Sequence, residues 1–314
     1  METTTTTTTA AAPPAKPSRF QYMLDNPGFL APLFMAPAVV YIVLLVAFPT
    51  VLSVYYSLSA YNIYNLSFKF VGLKNYIDIF QDDVFLQTLG NTFIFTIAAN
   101  VIGLALGKAT ALLLLRDFRG KVFVRFLIIL PWAVPIALAT LAWRWMFDSL
   151  YSVINWSLQH AHLIGPNTWP NWLGEEHLAM ISVIIVHAWR LFPFGAVIFL
   201  AGLTSIPKDV MDACVVDGAG FWRKNFQIVI PMITPIIAIA GLFGIVFTFT
   251  DMSVVYLLTK GGPTNSTHVL GSLAFQVGIL SGDVSHGAAI SLVMFPFLLV
   301  ASILLLRFLR RREV

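Results

Sequence analysis

The sequence predicts an all-α fold: a polytopic membrane protein with six transmembrane helices and both termini in the cytoplasm. The first observation is composition, since 58% of the 314 residues are hydrophobic, 11% are charged and the mean hydropathy is +0.82. A soluble domain cannot bury that much apolar surface, so lipid is the solvent for most of the chain. The second is a series of six apolar runs, each long enough to supply the ~20 residues that cross a bilayer. The third is the placement of Lys and Arg in alternate loops.

Residues 1–29 precede the first apolar run and are predicted to form a disordered cytoplasmic tail. The tail opens METTTTTTTAAAPPAKPS, a low-complexity stretch of Thr, Ala and Pro that cannot build a core. It lacks the short apolar core and the small-residue cleavage site of a signal peptide. We therefore expect the first apolar run to stay in the membrane as a helix.

The six spans form one predicted transmembrane domain over residues 30–306. Pro37, Pro135 and Pro193 fall inside them, which membrane helices tolerate where neighbours satisfy the freed carbonyls. In chain order the predicted spans are 30–58, 88–115, 123–147, 178–203, 232–258 and 286–306.

The distribution of Lys and Arg sets the predicted orientation. With both termini inside, the cytoplasmic segments hold 13 of the 19 basic residues, and the basic tail 307–314 is one of those segments. This bias places both termini in the cytoplasm. It also accounts for the pI near 9.2 without nucleic acid as a partner. The single cysteine, Cys214, excludes an intrachain disulfide.

The cytoplasmic loop 204–231 contains the stretch DACVVDGAGFWRKNFQIVIP, which begins at Asp212. Gly218 permits a bend between two helical pieces, and small residues around it let another backbone approach closely. The segment is predicted either to dock in a groove of a partner or to lie on the surface as a connector. Helical spacing puts five bulky or small apolar residues on one face: Met211, Val215, Ala219, Trp222 and Phe226.

The same stretch resembles the cytoplasmic signature of ABC importer permeases. That pattern begins Glu-Ala-Ala, places Gly six residues after the Glu and ends Ile-x-Leu-Pro; here it reads Asp212-Ala213-Cys214, then Gly218, then 228–231 as IVIP. Asp for Glu, Cys for Ala and Ile for Leu are mild departures. The resemblance implies a coupling helix that seats in a cleft of a separate ATP-hydrolysing subunit. Its expected contact residues are Asp212, Ala213, Asp217, Gly218, Ala219, Trp222, Phe226 and Pro231.

Four further stretches are similar to the carbohydrate branch of that family. They are GLKNY at 72–76, ILPWAVP at 129–135, IPKDVMDACVVDGA at 206–219 and LLTKGGPTNST at 257–267, and the last resembles the maltose-type subunit that binds sugar. The resemblance implies an importer of disaccharides or oligosaccharides in a prokaryotic plasma or inner membrane. It implies as partners a second permease, two copies of an ABC ATPase and an extracytoplasmic binding protein or lipoprotein.

The chain is not expected to be an enzyme or to carry a cofactor. GLALGKAT, 103–110, has three residues between its glycines where a phosphate loop needs four, and the residue directly after Lys108 is neither Ser nor Thr. ATP and Mg are therefore expected on the partner ATPase, while Gly103 and Gly107 are typical of close helix packing. His160 and His162 have no third ligand near them in sequence, so no metal is predicted.

Polar side chains inside spans are costly and mark candidate pathways. In the fifth span Gly244, Thr248 and Asp251 recur at helical spacing, and in the fourth His187 and Arg190 share a turn. The resemblance implies sugar contacts at these positions and at nearby aromatic rings. Arg190 and Asp251 either contact substrate or pair with each other. The candidate pathway residues are Trp132, His187, Arg190, Phe194, Gly244, Phe247, Thr248 and Asp251.

The long outer loop from Asp148 to His177 carries Trp156, Trp169 and Trp172 but no Lys or Arg. Tryptophan is common at membrane interfaces in any case. The resemblance implies that this loop contacts the external binding protein.

Three alternatives to sugar import differ in the sequence features that they require. An importer of glycerol phosphate, a phosphodiester or another polar solute is favoured if Arg190 faces the cavity unpaired. A self-sufficient secondary transporter or channel has no need of a cytoplasmic docking helix, so the 212–231 segment argues against it. An integral membrane enzyme is disfavoured because no nucleophile–base pair or metal cluster appears in the sequence.

Overall fold

The computed structural model describes residues 27–61 and 68–311, so most of the predicted N-terminal tail and the last three residues lie outside it. The chain divides into two compact units, Met1–Leu52 and Ser53–Val314. The described part of the first unit is helical, with exposed apolar side chains throughout. It contains α1 (Pro27–Ile42), the π-helical turn Val43–Ala47 and the start of α2 (Phe48–Ser57).

The second unit is helical apart from a two-stranded hairpin. Ser59 pairs with Phe70 and Tyr61 with Phe68 in an antiparallel register. The all-α prediction missed these short strands. After α2 the elements are β1 (Ser59–Tyr61), β2 (Phe68–Phe70), α3 (Lys74–Phe80), α4 (Asp83–Leu115), α5 (Lys121–Ala133), α6 (Ile136–Met146), α7 (Val153–His160), α8 (Glu176–Thr204), α9 (Lys208–Val216), α10 (Phe221–Arg223), the π-helical Lys224–Val229, α11 (Ile230–Thr250), α12 (Ser253–Leu258), α13 (Leu270–Phe275), the π-helical Gln276–Leu280 and α14 (Val284–Arg310).

Five helices of the described chain are long and apolar enough to cross a membrane, and a bent pair can supply a sixth span. Hydropathy thus located all six predicted regions, although the boundaries differ. The five are Gly28–Ser57, Asp83–Leu115, Glu176–Thr204, Phe221–Thr250 and Val284–Arg310.

The third predicted span, 123–147, is wrong as a single helix. It consists of α5 and α6, which meet at an angle of 97°. Pro135 stands directly before α6, and Val134 is extended with ψ 133°. Proline lacks the N–H that a continuing helix needs and pushes the preceding residue out of the helical region. By contrast, Pro37 and Pro193 lie inside α1 and α8 as predicted.

The fifth predicted span, 232–258, has both ends misplaced. Its helix starts at Phe221 and stops at Thr250, and residues 253–258 form the separate helix α12. Asp251 leaves the helix in an extended conformation, with φ −78° and ψ 118°. Since the helix starts eleven residues early, residues 221–231 of the predicted loop 204–231 are the beginning of this span.

Glycines set the closest approach between the long helices. A Cβ added to Gly107 of α4 would lie 2.7 Å from the backbone of Gly195 on α8. One added to Gly103 would lie 3.2 Å from the Leu191 side chain. The predicted close-packing face of α4 is therefore confirmed, and α4 and α8 form the most extensive helix pair of the described chain.

Three clusters of buried apolar side chains hold the second unit together. The first joins α4, α8 and α12 around Phe95, Val183 and Val254. The second joins α13 and α14 around Leu270 and Ile290. The third packs the ends of α4 and α8 against the start of the fifth span. Its members are Ala111, Phe199, Leu203, Ile206, Val229 and Ile233.

Candidate functional site

A cavity of about 580 Å³ opens between α5, α8 and α11. It lies where two helices are interrupted, because Trp132 comes from the last turn of α5 and Asp251 directly follows α11. The ends of these broken helices place side chains in the cavity that continuous helices could not aim there. Its lining consists of Trp132, His187, Arg190, Leu191, Phe194, Phe243, Phe247, Thr250 and Asp251.

Six of the eight predicted pathway residues line this cavity. α8 contributes His187 and Arg190 from one turn and Phe194 from the next, while Phe247 lies in α11 and Asp251 directly after it. The residues that the resemblance and the polar positions singled out thus come from three predicted spans and line one cavity. The six are Trp132, His187, Arg190, Phe194, Phe247 and Asp251.

Gly244 and Thr248, the other two, do not line the cavity; both are buried behind it. The Thr248 hydroxyl accepts from the side-chain amide of Asn100 at 3.0 Å and lies 3.0 Å from His187 Nε2. Asn100 also donates to the Thr96 carbonyl at 2.8 Å. The predicted common face of Gly244, Thr248 and Asp251 is wrong, because the helix ends before Asp251 and its carboxylate points elsewhere.

Arg190 and Asp251 pair. Arg190 Nη1 donates to Asp251 Oδ2 at 2.9 Å, and the side chains are 34% and 12% exposed, respectively. The other carboxylate oxygen accepts the backbone N–H of Ser253 at 2.6 Å, which fixes the start of α12. His187 Nδ1 lies 3.5 Å from Asp251 Oδ2, too far for a good hydrogen bond. Both residues also line the cavity, so pairing and exposure to a ligand occur together.

Sequence reasoning missed Asn100 and three lining residues, Leu191, Phe243 and Thr250. An amide in the middle of the apolar run of α4 was a usable signal, since polar side chains within spans are rare. The apolar residues gave no signal of this kind, because an aromatic ring that faces a cavity and one that faces lipid look alike in sequence.

The 212–231 segment forms an exposed surface next to the helix bundle. α9 ends in a Schellman motif, in which Ala219 donates to the Cys214 carbonyl at 2.9 Å and Gly218 to the Val215 carbonyl at 3.1 Å. Gly218 has φ +65°, a conformation that favours glycine. The predicted bend at Gly218 is confirmed, and it turns the chain from α9 into the fifth span.

The exposed apolar face of this segment differs from the predicted one. Met211 is half-buried because it packs on the third buried cluster, and Ala219 is half-buried after the bend, which breaks the helical periodicity on which the prediction depended. Of the predicted contact residues, all but the half-buried Ala219 are exposed: Asp212, Ala213, Asp217, Gly218, Trp222, Phe226 and Pro231. The exposed apolar side chains, which we call the aromatic patch, are Val215 (69% exposed), Val216 (87%), Phe221 (61%), Trp222 (71%) and Phe226 (59%).

The aromatic patch has internal order. Trp222 and Phe226 stack with centroids 5.8 Å apart and an interplanar angle of 15°. Lys108 of α4 places its Nζ 5.5 Å from the Phe226 ring centroid, a cation–π distance. An ordered apolar patch beside charged residues is typical of a protein contact surface.

The loop 148–177 folds around α7. Trp172 Nε1 donates to Asn155 Oδ1 at 2.7 Å, and the ring packs on the first buried cluster, so Trp172 stabilises the loop. Trp156 and Trp169 are 57% and 49% exposed. The carboxylate of Asp148 accepts the backbone N–H groups of Tyr151 and Leu150, which lower its pKa from the ordinary value. Within the described ranges no cluster of three or more His, Cys, Asp or Glu side chains is arranged to hold a metal ion.

Comparison with known proteins identifies relatives that match most of the chain. A family model described as the binding-protein-dependent transport system inner membrane component matches residues 99–314. The chain is 31% identical over 285 residues to the sulfoquinovosyl glycerol transport system permease protein SmoG of Agrobacterium fabrum, covering 90% of this chain and 91% of the relative. It is 31% identical to the trehalose/maltose transport system permease protein MalF of Thermococcus litoralis, covering 78% and 81%. It is 30% identical to the sn-glycerol-3-phosphate transport system permease protein UgpA of Yersinia pestis, covering 92% and 98%.

A solved structure shares the fold. The crystal structure of a bacterial ABC transporter involved in the import of the acidic polysaccharide alginate contains a chain that superposes with a TM-score of 0.77. The match covers 94% of this chain and 99% of that chain at 17% identity. At this identity the likeness establishes the fold alone, and it is the fold that the resemblance predicted.

Proposed function

This chain belongs to the family of binding-protein-dependent transport system inner membrane components, and from that premise we propose that it forms half of the pathway of an ATP-driven sugar importer. It is a multi-pass permease subunit. The observation that carries the proposal is the cavity, which combines aromatic rings with a paired carboxylate and guanidinium. Aromatic faces suit the apolar faces of sugar rings, and the charged pair suits their hydroxyls.

The interrupted helices explain how a polar pathway exists within the membrane. Irregular backbone at membrane depth is tolerated where it lines a cavity instead of facing lipid. The break before Pro135 and the break at Asp251 both occur beside the cavity. The proposed substrate, a disaccharide or oligosaccharide, would pass between these breaks and the matching surface of a second permease.

The aromatic patch is the proposed seat of a partner ATPase. ATP binding by two such subunits would draw the coupling segments of both permeases together and open the cavity outward, and hydrolysis would reset it. This is a two-state switch biased by ligands at distant sites. ATP and Mg belong to the partner in this scheme. The exposed Trp156 and Trp169 are the proposed contacts of an extracytoplasmic binding protein.

The proposed setting is a prokaryotic inner membrane with both chain termini in the cytoplasm. The basic residues of the segments around α5, α9 and the end of α14 support this orientation. The arrangement puts the aromatic patch on the side where ATP is available and the loop 148–177 on the opposite side.

A second candidate is import of glycerol phosphate, supported by the similarity to UgpA. An unpaired Arg190 would favour it, but Arg190 is paired with Asp251. Sugar import is therefore the better supported proposal. A secondary transporter or channel is less well supported, because such a protein does not need the aromatic patch as a docking surface for an ATPase.

The substitution Gly218→Trp tests the coupling proposal. Gly218 is exposed and a Cβ there meets nothing within 4 Å, so a side chain at this position projects toward a partner, while its φ of +65° strains any residue other than glycine. We expect ATP-driven sugar uptake by the reconstituted complex to fall at least ~10-fold. Gly120→Trp is the matched control, because Gly120 is also exposed, has φ +85° and has open space around it.

Equal uptake by the two variants would contradict the coupling role of the segment. Sugar flux through this chain without ATP would contradict the importer proposal as a whole.

A further inference from the structure

The charge balance of the cavity narrows the substrate class within the proposed sugar import. We propose that the group bound by this half of the cavity is an uncharged glycosyl unit with adjacent hydroxyls, and that Asp251 is the residue that excludes anions. The inference rests on the proposed function. It goes beyond the relatives, whose names include both a neutral-sugar system and a glycerol-phosphate system.

The positive charge of Arg190 in the cavity is compensated by the negative charge of Asp251. Arg190 is 2.9 Å from Asp251, and the remaining lining residues other than His187 are aromatic, aliphatic or hydroxylic. His187 is only 4% exposed and is held against Thr248, so it presents little surface to a ligand. This chain therefore offers the substrate a nearly neutral polar site instead of an anion-binding pocket.

An anion would bind here at a large cost. An anion that contacts the free N–H groups of Arg190 lies close to the carboxylate of Asp251, which is only 12% exposed and therefore poorly screened by water. Displacing Asp251 instead would leave its buried charge uncompensated, which is strongly unfavourable. Relative to an unpaired guanidinium, the repulsion of the carboxylate through an effective dielectric constant of about 20 weakens anion binding by a factor of the order of 100 or more.

A pair of hydroxyls, in contrast, fits without breaking the ion pair. The carboxylate has roughly four acceptor positions, and within the described chain two are taken, by Arg190 and Ser253. The guanidinium has five N–H donors, and in the same residues one is given to Asp251. Adjacent hydroxyls can donate to the carboxylate and accept from the guanidinium at once, while rings such as Phe194 and Phe247 cover the apolar face of the sugar.

The substitution Asp251→Asn should invert this selectivity. The amide oxygen keeps an acceptor for the Ser253 N–H, so the start of α12 is preserved. The charge of Arg190 is then uncompensated and faces the cavity. An anion such as a phosphate monoester gains a charge-assisted bidentate partner and loses the repulsion of the carboxylate.

The test measures equilibrium binding of radiolabelled sn-glycerol 3-phosphate to the intact transporter complex in nanodiscs. We expect no saturable binding by wild type up to the highest anion concentration used, saturable binding by Asp251→Asn with a Kd at least ~30-fold below that concentration, and loss of that binding in the double variant Arg190→Gln, Asp251→Asn. Asp83→Asn is the matched control, since Asp83 is exposed in the first turn of α4 and away from the cavity. It should behave as wild type.

Anion binding by the wild-type complex tests the proposal even if the Asp251→Asn variant fails to assemble. Saturable binding of the anion by wild type that disappears in Arg190→Gln would overturn the proposal, as would an assembled Asp251→Asn complex that gains no anion binding. ATP-driven uptake of maltose or trehalose, measured with the same complex reconstituted into sealed proteoliposomes, reports separately on the importer. If uptake persists while wild type binds the anion through Arg190, the substrate class is wrong and the importer stands.

Discussion

Asn100 and Gly244 face each other between α4 and α11. The side-chain nitrogen of Asn100 donates to Thr96 and Thr248, which turns its oxygen toward Gly244, and a Cβ at Gly244 would lie 2.0 Å from that oxygen. This oxygen has no hydrogen-bond partner among the described residues. The polar network behind the cavity thus depends on the absence of a side chain at one helix position.

We predict that Gly244→Ala destabilises the protein by about 1–3 kcal/mol, because the added methyl forces the Asn100 amide out of its two hydrogen bonds. Asn100→Ala removes the obstacle, so the double variant should lose less stability than the two single losses added together. Thermal unfolding in detergent measures all four proteins. Additive losses would show that the two residues do not meet.

At the residue scale, the rarity of charged or polar side chains in apolar spans, together with the family resemblance, singled out His187, Arg190 and Asp251, and the fold brings these three to one cavity. Thr248 lies behind the cavity, because sequence spacing does not show which face of a helix packs against a neighbouring helix. Whether Arg190 pairs with Asp251 was undecidable from sequence, since they are separated by 61 positions.

The contact between α4 and α8 organises the second unit at the scale of elements. Gly107 and Gly195 let the two backbones approach, and Ala111 extends the contact into the third buried cluster. In a membrane the association of helices depends on such close packing, because lipid removes most of the hydrophobic drive between them.

We predict that Gly107→Ala lowers the free energy of unfolding by at least about 2 kcal/mol, since its methyl would lie 2.7 Å from backbone atoms that cannot rotate away. Gly241→Ala is the matched control. Gly241 is also helical but a Cβ there meets nothing within 4 Å, so the change should be neutral or stabilising by up to about 1 kcal/mol. Equal melting temperatures for the two variants would contradict this account of the interface.

Element boundaries were the weakest part of the sequence prediction, for a physical reason. Hydropathy reports which residues tolerate lipid, and it stays high across Pro135 and across residues 251–258, where the helices break. The hairpin β1–β2 is too short to produce an alternating pattern. The bend at Gly218, in contrast, was predictable from residue type, because glycine favours the positive φ found there.

At the scale of the whole molecule, the cavity and the aromatic patch belong to one pair of long helices. α8 contributes His187, Arg190 and Phe194 to the cavity and continues toward α9, while the helix from Phe221 to Thr250 begins in the patch and ends beside Asp251. A displacement of the patch by a partner therefore has a continuous helical route to the cavity. This connection is the structural basis of the proposed coupling.

The most direct measurement is to purify the tagged chain from its native membrane and identify what accompanies it by mass spectrometry. We predict that an ABC ATPase and a second permease co-purify with the wild-type chain in stoichiometric amounts. The ATPase should be lost from the Gly218→Trp variant and retained by Gly120→Trp. If the wild-type chain is recovered alone and still moves solute without ATP, the aromatic patch is not a coupling surface and the central claim is wrong.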